Sequence, residues 1–108
     1  MKFNKLVRDK IPHILKQHGL EPKTYICSKK EYASRLQDKL KEEVNEFLKD
    51  DTLEELADIL EVIYAIAKSR GTSKKELEKI RSGKKEKRGA FDKKIILLEA
   101  ERSKPLQT

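Results

Sequence analysis

The chain has 108 residues, of which 42% are charged and 36% are hydrophobic, and its aromatic residues are three tyrosines and three phenylalanines. We expect a single domain spanning residues 1–108 with little apolar material for a core, so that a homodimer or a higher homo-oligomer completes the burial. The formal net charge of +7 is segregated, because residues 38–61 hold ten acids and three bases, whereas residues 1–30 hold eight bases and two acids. An acidic centre between basic arms disfavours a uniformly basic nucleic-acid-binding surface.

No apolar run in the sequence reaches the length of a membrane span, and the first residues lack the apolar stretch of a signal peptide. Cys27 is the single cysteine, which excludes a disulfide within the chain. These features predict a cytoplasmic protein without a membrane partner.

The first predicted element is a short helix that begins after Asp9 as its N-cap and ends near His18. Pro12 stands in its first turn and Gly19 marks its end. The β-branched stretch at residues 22–27 is either a linker or a single strand.

Three capping boxes mark the starts of the next helices, since a Ser or Thr side chain can accept a hydrogen bond from the backbone N–H three residues later. We expect the second helix from Ser28 through Lys49, the third from Thr52 to near Gly71, and the fourth from Ser73.

The C-terminal part is less well defined by its sequence. Gly83 weakens the fourth helix ahead of a basic run. Residues 91–98 are compatible with a strand paired with residues 23–27 or with a last helix, because periodicity does not distinguish the two. The expected fold is all-α, an antiparallel bundle of four to five helices with room for a minor β element.

Four carboxylates stand in mirror-image positions around the break between the second and third helices. Glu46 and Glu55 share a midpoint with Glu43 and Asp58, and each pair within one helix is spaced i, i+3. In an antiparallel helix pair with a tight turn these side chains lie together on one face. Their mutual repulsion is relieved by a divalent cation, and oxygen-only ligands favour Mg²⁺, with Mn²⁺ as the second choice.

A plainer interpretation is that these acids are solvated surface residues, and that Glu55 only completes the capping box of Thr52. Asp58 argues against that interpretation, because it lies between apolar neighbours that cover most of its helix. Its carboxylate therefore needs a partner.

Basic residues at both ends of the chain offer a complementary chemistry. Lys84, Lys85 and Arg88 form one run, and Arg8 and Lys10 lie in the N-terminal segment. Such runs are often only solvated, but here they are also suited to bind a phosphate chain next to the metal.

The acids Glu42-Glu43-x-x-Glu46 followed by Glu55-x-x-Asp58 resemble the EExxE and ExxD signature of the all-α nucleoside triphosphate pyrophosphohydrolases, the MazG-like group that includes phosphoribosyl-ATP pyrophosphohydrolase. The segments at residues 4–12 and 84–91 are similar to the opening and closing motifs of a small phosphoribosyl-ATP-pyrophosphohydrolase-like subgroup, so the resemblance spans nearly the whole chain.

This resemblance implies Mg²⁺-dependent cleavage between the α and β phosphates of a nucleotide substrate, giving a monophosphate and pyrophosphate. It implies that Glu43, Glu46, Glu55 and Asp58 are metal ligands and that Glu42 orients water. Only eight residues separate Glu46 from Glu55, fewer than is usual in that family, which limits the room for a nucleobase pocket.

Two other functions remain open at this point. The basic arms are compatible with a nucleic-acid-binding module that needs no metal. The helices are also compatible with a regulatory module without catalysis, whose acids are merely solvated.

Overall fold

The computed structural model describes residues 2–103 and contains four α-helices: α1 (Ile11–Gln17), α2 (Lys29–Asp50), α3 (Leu53–Ser69) and α4 (Lys74–Arg88). The all-α prediction is confirmed. Within residues 2–103 there is no strand, so residues 22–27 are a linker and residues 91–98 form neither of the two predicted elements. Periodicity left residues 91–98 open between strand and helix, and in the described part of the chain the exposed side chains of Ile95 to Leu98 lack the packing partner that either element would need.

The side chains of Ser28, Thr52 and Ser73 each accept a hydrogen bond from the backbone N–H three residues later, as the capping boxes predict. Helix α1 begins one residue later than expected, with Lys10 rather than Asp9 at its N-cap and no side-chain cap. The reason is a turn at this point, in which the Ile11 N–H donates to the Arg8 carbonyl.

Helices α2 and α3 form an antiparallel hairpin with a two-residue connection. Asp51 adopts a left-handed backbone conformation (φ 52°, ψ 47°), and its N–H donates to the Phe47 carbonyl, which ends α2. Thr52 is extended and starts α3 at once. The most buried side chains of the described chain lie in this hairpin: Leu36, Val62 and Ala67. The tight turn therefore fixes the register of the two helices.

One side of the α2/α3 hairpin is apolar and open to solvent. At about 100° per residue its members fall on the same side of both helices. They are Val44, Leu48, Leu53, Leu56 and Leu60, which we call the apolar face. Leu48 is 72% exposed and Leu53 83% exposed. Among residues 2–103 no segment covers this face.

Helix α4 diverges from the hairpin soon after it begins. The Lys74 ammonium lies 4.8 Å from the centre of the Tyr64 ring, and Leu77 is half-buried, but Ile80 one turn later is 58% exposed. The helix continues through Gly83 to Arg88, so the glycine does not end it. The basic run is thus carried away from α3.

The described chain is extended, with a radius of gyration of 20.5 Å. A compact domain of this length has a radius of about 13 Å. Four consecutive aliphatic residues of the tail, Ile95 to Leu98, are each at least 77% exposed. None of the helices within residues 2–103 is both long and apolar enough to cross a membrane.

Candidate metal centre

The first group of acids joins the two helices of the hairpin. One carboxylate oxygen each of Glu43, Glu55 and Asp58 lies within 4.8 Å of the other two, and all three residues are half-buried. Glu43 comes from α2, and Glu55 and Asp58 come from successive turns of α3. This is the mirror-image pairing that the sequence predicts, and it follows from the two-residue connection.

A second group overlaps the first. Glu46, Asp50 and Glu55 also bring carboxylate oxygens within 4.8 Å of one another, with Glu46 and Asp50 exposed. The four predicted ligands therefore lie in two adjoining groups that share Glu55. The sequence interpretation missed Asp50, although its i, i+4 spacing from Glu46 on the same helix face was a usable signal.

Glu55 has a less favourable environment for a negative charge than an exposed glutamate. Partial burial in the hairpin raises the pKa of Glu55, and the negative charges of Asp58, Asp50, Glu46 and Glu43 raise it further. The cap of α3 uses the backbone N–H of Glu55, which donates to Thr52 Oγ1 at 3.3 Å. Its carboxylate instead belongs to both acidic groups.

Positive side chains of the protein itself contact the acids. Arg8 Nη2 lies 2.7 Å from Asp58 Oδ1, and Lys39 Nζ lies 3.4 Å from Glu43 Oε1. Glu42 accepts hydrogen bonds from Lys5 Nζ at 2.9 Å and Lys39 Nζ at 3.2 Å. The sequence interpretation missed Lys5 and Lys39. Lys39 stands at i, i+4 from Glu43 and was therefore predictable, whereas Lys5 was not.

Opposing effects act on the pKa of Glu42. Its partial burial acts to raise the pKa, but the hydrogen bonds from Lys5 and Lys39 and their positive charges outweigh that effect. The net result is a pKa below the ordinary glutamate value. Glu42 is therefore held ionised beside the first acidic group without being a member of it.

The N-terminal segment is anchored on α2 by Arg35. Its Nη1 donates to the Asn4 carbonyl at 2.9 Å and its Nη2 donates to Asn4 Oδ1 at 3.0 Å. Asn4 has a positive φ of 46°, a conformation that Asn tolerates better than most residues. Together with the Lys5 to Glu42 bond, these contacts position Arg8 next to the acids.

The remaining predicted phosphate-binding residues lie elsewhere. Lys10 is exposed at the N-cap of α1, and Lys84, Lys85 and Arg88 are exposed on the last turns of α4. Within residues 2–103, no ion pair or hydrogen bond joins these four side chains to the acids. Among the five predicted cations, Arg8 is the one that the structure brings to the acidic groups.

The donor set fits a hard divalent cation, because the candidate ligands are carboxylate oxygens and several of them lie close together. No family model, curated protein sequence or solved structure matches this chain. Membership of the MazG-like group therefore stays a prediction that rests on the sequence motifs.

Proposed function

We propose that the chain is a Mg²⁺-dependent nucleotide pyrophosphohydrolase that cleaves the α–β phosphoanhydride of a nucleoside triphosphate or of a phosphoribosyl-ATP-like substrate. The observation that carries the proposal is the convergence of Glu43, Glu55 and Asp58 within 4.8 Å across the hairpin. Mn²⁺ is the expected substitute for Mg²⁺, since both prefer oxygen ligands.

The acidic residues have three different roles in the proposed reaction. Glu43, Glu55 and Asp58 hold the cation, which when bound neutralises charge on the phosphate oxygens and favours ionisation of water. Glu46 is exposed next to Glu55, and we assign to it the acceptance of a proton from the attacking water. Glu42, kept ionised by Lys5 and Lys39, orients that water.

The departing pyrophosphate carries negative charge that the basic residues stabilise. Arg8 is the nearest of them, because it already contacts Asp58. Lys10, Lys84, Lys85 and Arg88 extend the same role if the ligand draws the arms together or if a second copy supplies them.

The test is a screen of pyrophosphate release over a set of nucleotides with Mg²⁺ and with Mn²⁺. Asp58→Asn and Glu46→Gln are expected to abolish release without unfolding the chain. Glu61→Gln is the matched control, because Glu61 is an exposed acid on α3 that belongs to neither group. Release of inorganic phosphate by the unaltered protein would instead indicate cleavage of a different bond.

A second candidate function is nucleic-acid binding by α4, which is favoured by the exposure of its basic run at residues 84–88. Such binding needs no metal and weakens steeply with salt. A filter-binding titration with DNA and RNA at two salt concentrations distinguishes it from the pyrophosphohydrolase, for which Mg²⁺ is required.

We also propose that the chain self-associates, as a homodimer or a larger homo-oligomer. The support is the open apolar face together with a core of few buried side chains. A face of this kind on a single chain is typical of an interface. The cytoplasmic location likewise stays a prediction from the sequence.

A further inference from the structure

Asp58, a proposed cation ligand, already has a positive partner within the chain. Arg8 Nη2 lies 2.7 Å from Asp58 Oδ1, and Asp58 belongs to the group in which carboxylate oxygens lie within 4.8 Å of each other. A guanidinium group carries donors and no acceptor, so it competes with a cation for the Asp58 oxygen that it contacts. Repulsion between the two positive charges favours the departure of Arg8 from Asp58 when a cation binds.

The exposed Arg8 side chain has room to leave Asp58, while the backbone before it is tied to α2. Its side chain is 56% exposed, and Asp58 is its ion-pair partner within residues 2–103. The segment is tied to α2 through Asn4 and Lys5, and Lys5 precedes Arg8 by only three residues. A displaced guanidinium therefore stays beside the acidic groups, where a bound phosphate chain would lie.

We propose that Arg8 is an exchangeable counter-ion: it pairs with Asp58 in the cation-free protein, leaves when a divalent cation binds, and then binds a phosphate oxygen of the substrate. The inference rests on the proposed function and names the regulation of that site. Its consequence is positive coupling between the cation and the polyphosphate. By linkage, each ligand favours the binding of the other.

Arg8→Gln tests this inference, with Lys10→Gln as a matched control that removes one neighbouring positive charge and breaks no described ion pair. Mn²⁺ is titrated alone by calorimetry. Exposed ion pairs contribute up to about 1 kcal/mol, so Arg8→Gln is expected to bind Mn²⁺ about two- to fivefold more tightly than the unaltered chain. Lys10→Gln is expected to change the affinity by less.

Arg8→Gln is also expected to bind the nucleotide more weakly and to show a higher KM for it. A purely structural role of Arg8 predicts weaker binding of both Mn²⁺ and the nucleotide. Tighter Mn²⁺ binding together with weaker nucleotide binding therefore indicates the exchange. The inference is overturned if Arg8→Gln binds Mn²⁺ no more tightly than the unaltered chain, or if Lys10→Gln gains as much Mn²⁺ affinity as Arg8→Gln does. In either case, saturable Mn²⁺ binding by the unaltered chain still supports the metal site. No saturable binding by the unaltered chain overturns both.

If Arg8→Gln does not fold, a measurement on the unaltered chain tests the exchange of Arg8 instead. The Nε–Hε signal of Arg8 in a ¹⁵N correlation spectrum is expected to shift on addition of Mg²⁺ and to shift again when a nucleotide is added. A signal that stays at its Mg²⁺-free position while the amide signals of Glu55 and Asp58 move contradicts the exchange.

Discussion

Glu43 on α2 and Asp58 on α3 bring their carboxylates within 4.8 Å across the hairpin, together with Glu55. A left-handed Asp51 and an extended Thr52 complete the connection in two residues, which fixes this pairing. Three negative charges at such distances repel one another unless positive charge is supplied. The same relationship determines the expected response to metal ions, to pH and to substitution.

Mg²⁺ is expected to raise the melting temperature of the unaltered chain. An ion that binds only the folded state at 100 times its dissociation constant adds about 2.7 kcal/mol to the free energy of unfolding. Scanning calorimetry of Asp58→Asn should show little of this shift, whereas Glu61→Gln should keep it. A regulatory module whose acids are only solvated predicts no shift in any of the three proteins.

Glu55→Gln is expected to stabilise the metal-free chain at neutral pH. Partial burial and neighbouring acids raise the pKa of Glu55 in the folded chain, so the folded state favours the protonated side chain. Protonated Glu55 therefore contributes its full stabilisation at a pH below the ordinary glutamate pKa. That stability is lost as pH rises through the higher folded-state pKa. Without metal, the melting temperature of Glu55→Gln should therefore exceed that of the unaltered chain at neutral pH, and the difference should vanish under acidic conditions. A difference that grows on acidification contradicts the raised pKa of Glu55.

Arg35→Ala is expected to release the N-terminal segment from α2. The substitution removes the hydrogen bonds to Asn4, so amide hydrogen exchange of residues 4–8 should accelerate while the α2/α3 hairpin keeps its protection. Arg81→Ala is the control, since within residues 2–103 the Arg81 side chain pairs with Glu78 on the same helix and with no other residue. Unchanged exchange at residues 4–8 would show that Arg35 does not hold the segment.

Leu60→Lys is expected to dissociate the proposed oligomer. The apolar face includes Leu60, and burying a leucine contributes about 1.5–3 kcal/mol, so a symmetric dimer that loses one in each copy should weaken at least about 100-fold. Light scattering at micromolar concentration measures the mass. Ser82→Lys on exposed α4 should leave it unchanged. A monomer mass for the unaltered chain refutes self-association.

The helix starts and the register of the acids were predictable because both depend on short-range geometry. A capping Ser or Thr and its partner lie three residues apart, and a two-residue connection leaves one way to align α2 with α3. Spacing alone therefore predicted that Glu43 lies near Asp58 and Glu46 near Glu55, but not their division into two groups or the presence of Asp50 in one of them.

The contacts of Lys5 and Arg8 were not predictable in the same way. They join a segment without regular secondary structure to helices far along the chain, so the spacing of residues in the sequence does not predict these contacts. The tail at residues 91–98 was ambiguous for a related reason. Its strand or helix would need a packing partner, and its apolar side chains have none within residues 2–103.

Pyrophosphate release with and without Mg²⁺ is the most direct measurement of the central claim, made on the unaltered chain, Asp58→Asn and Glu61→Gln in parallel. We predict Mg²⁺-dependent release by the unaltered chain and by Glu61→Gln, and none by a folded Asp58→Asn. Release by Asp58→Asn at the rate of the unaltered chain, or release that does not depend on a divalent cation, would contradict the account.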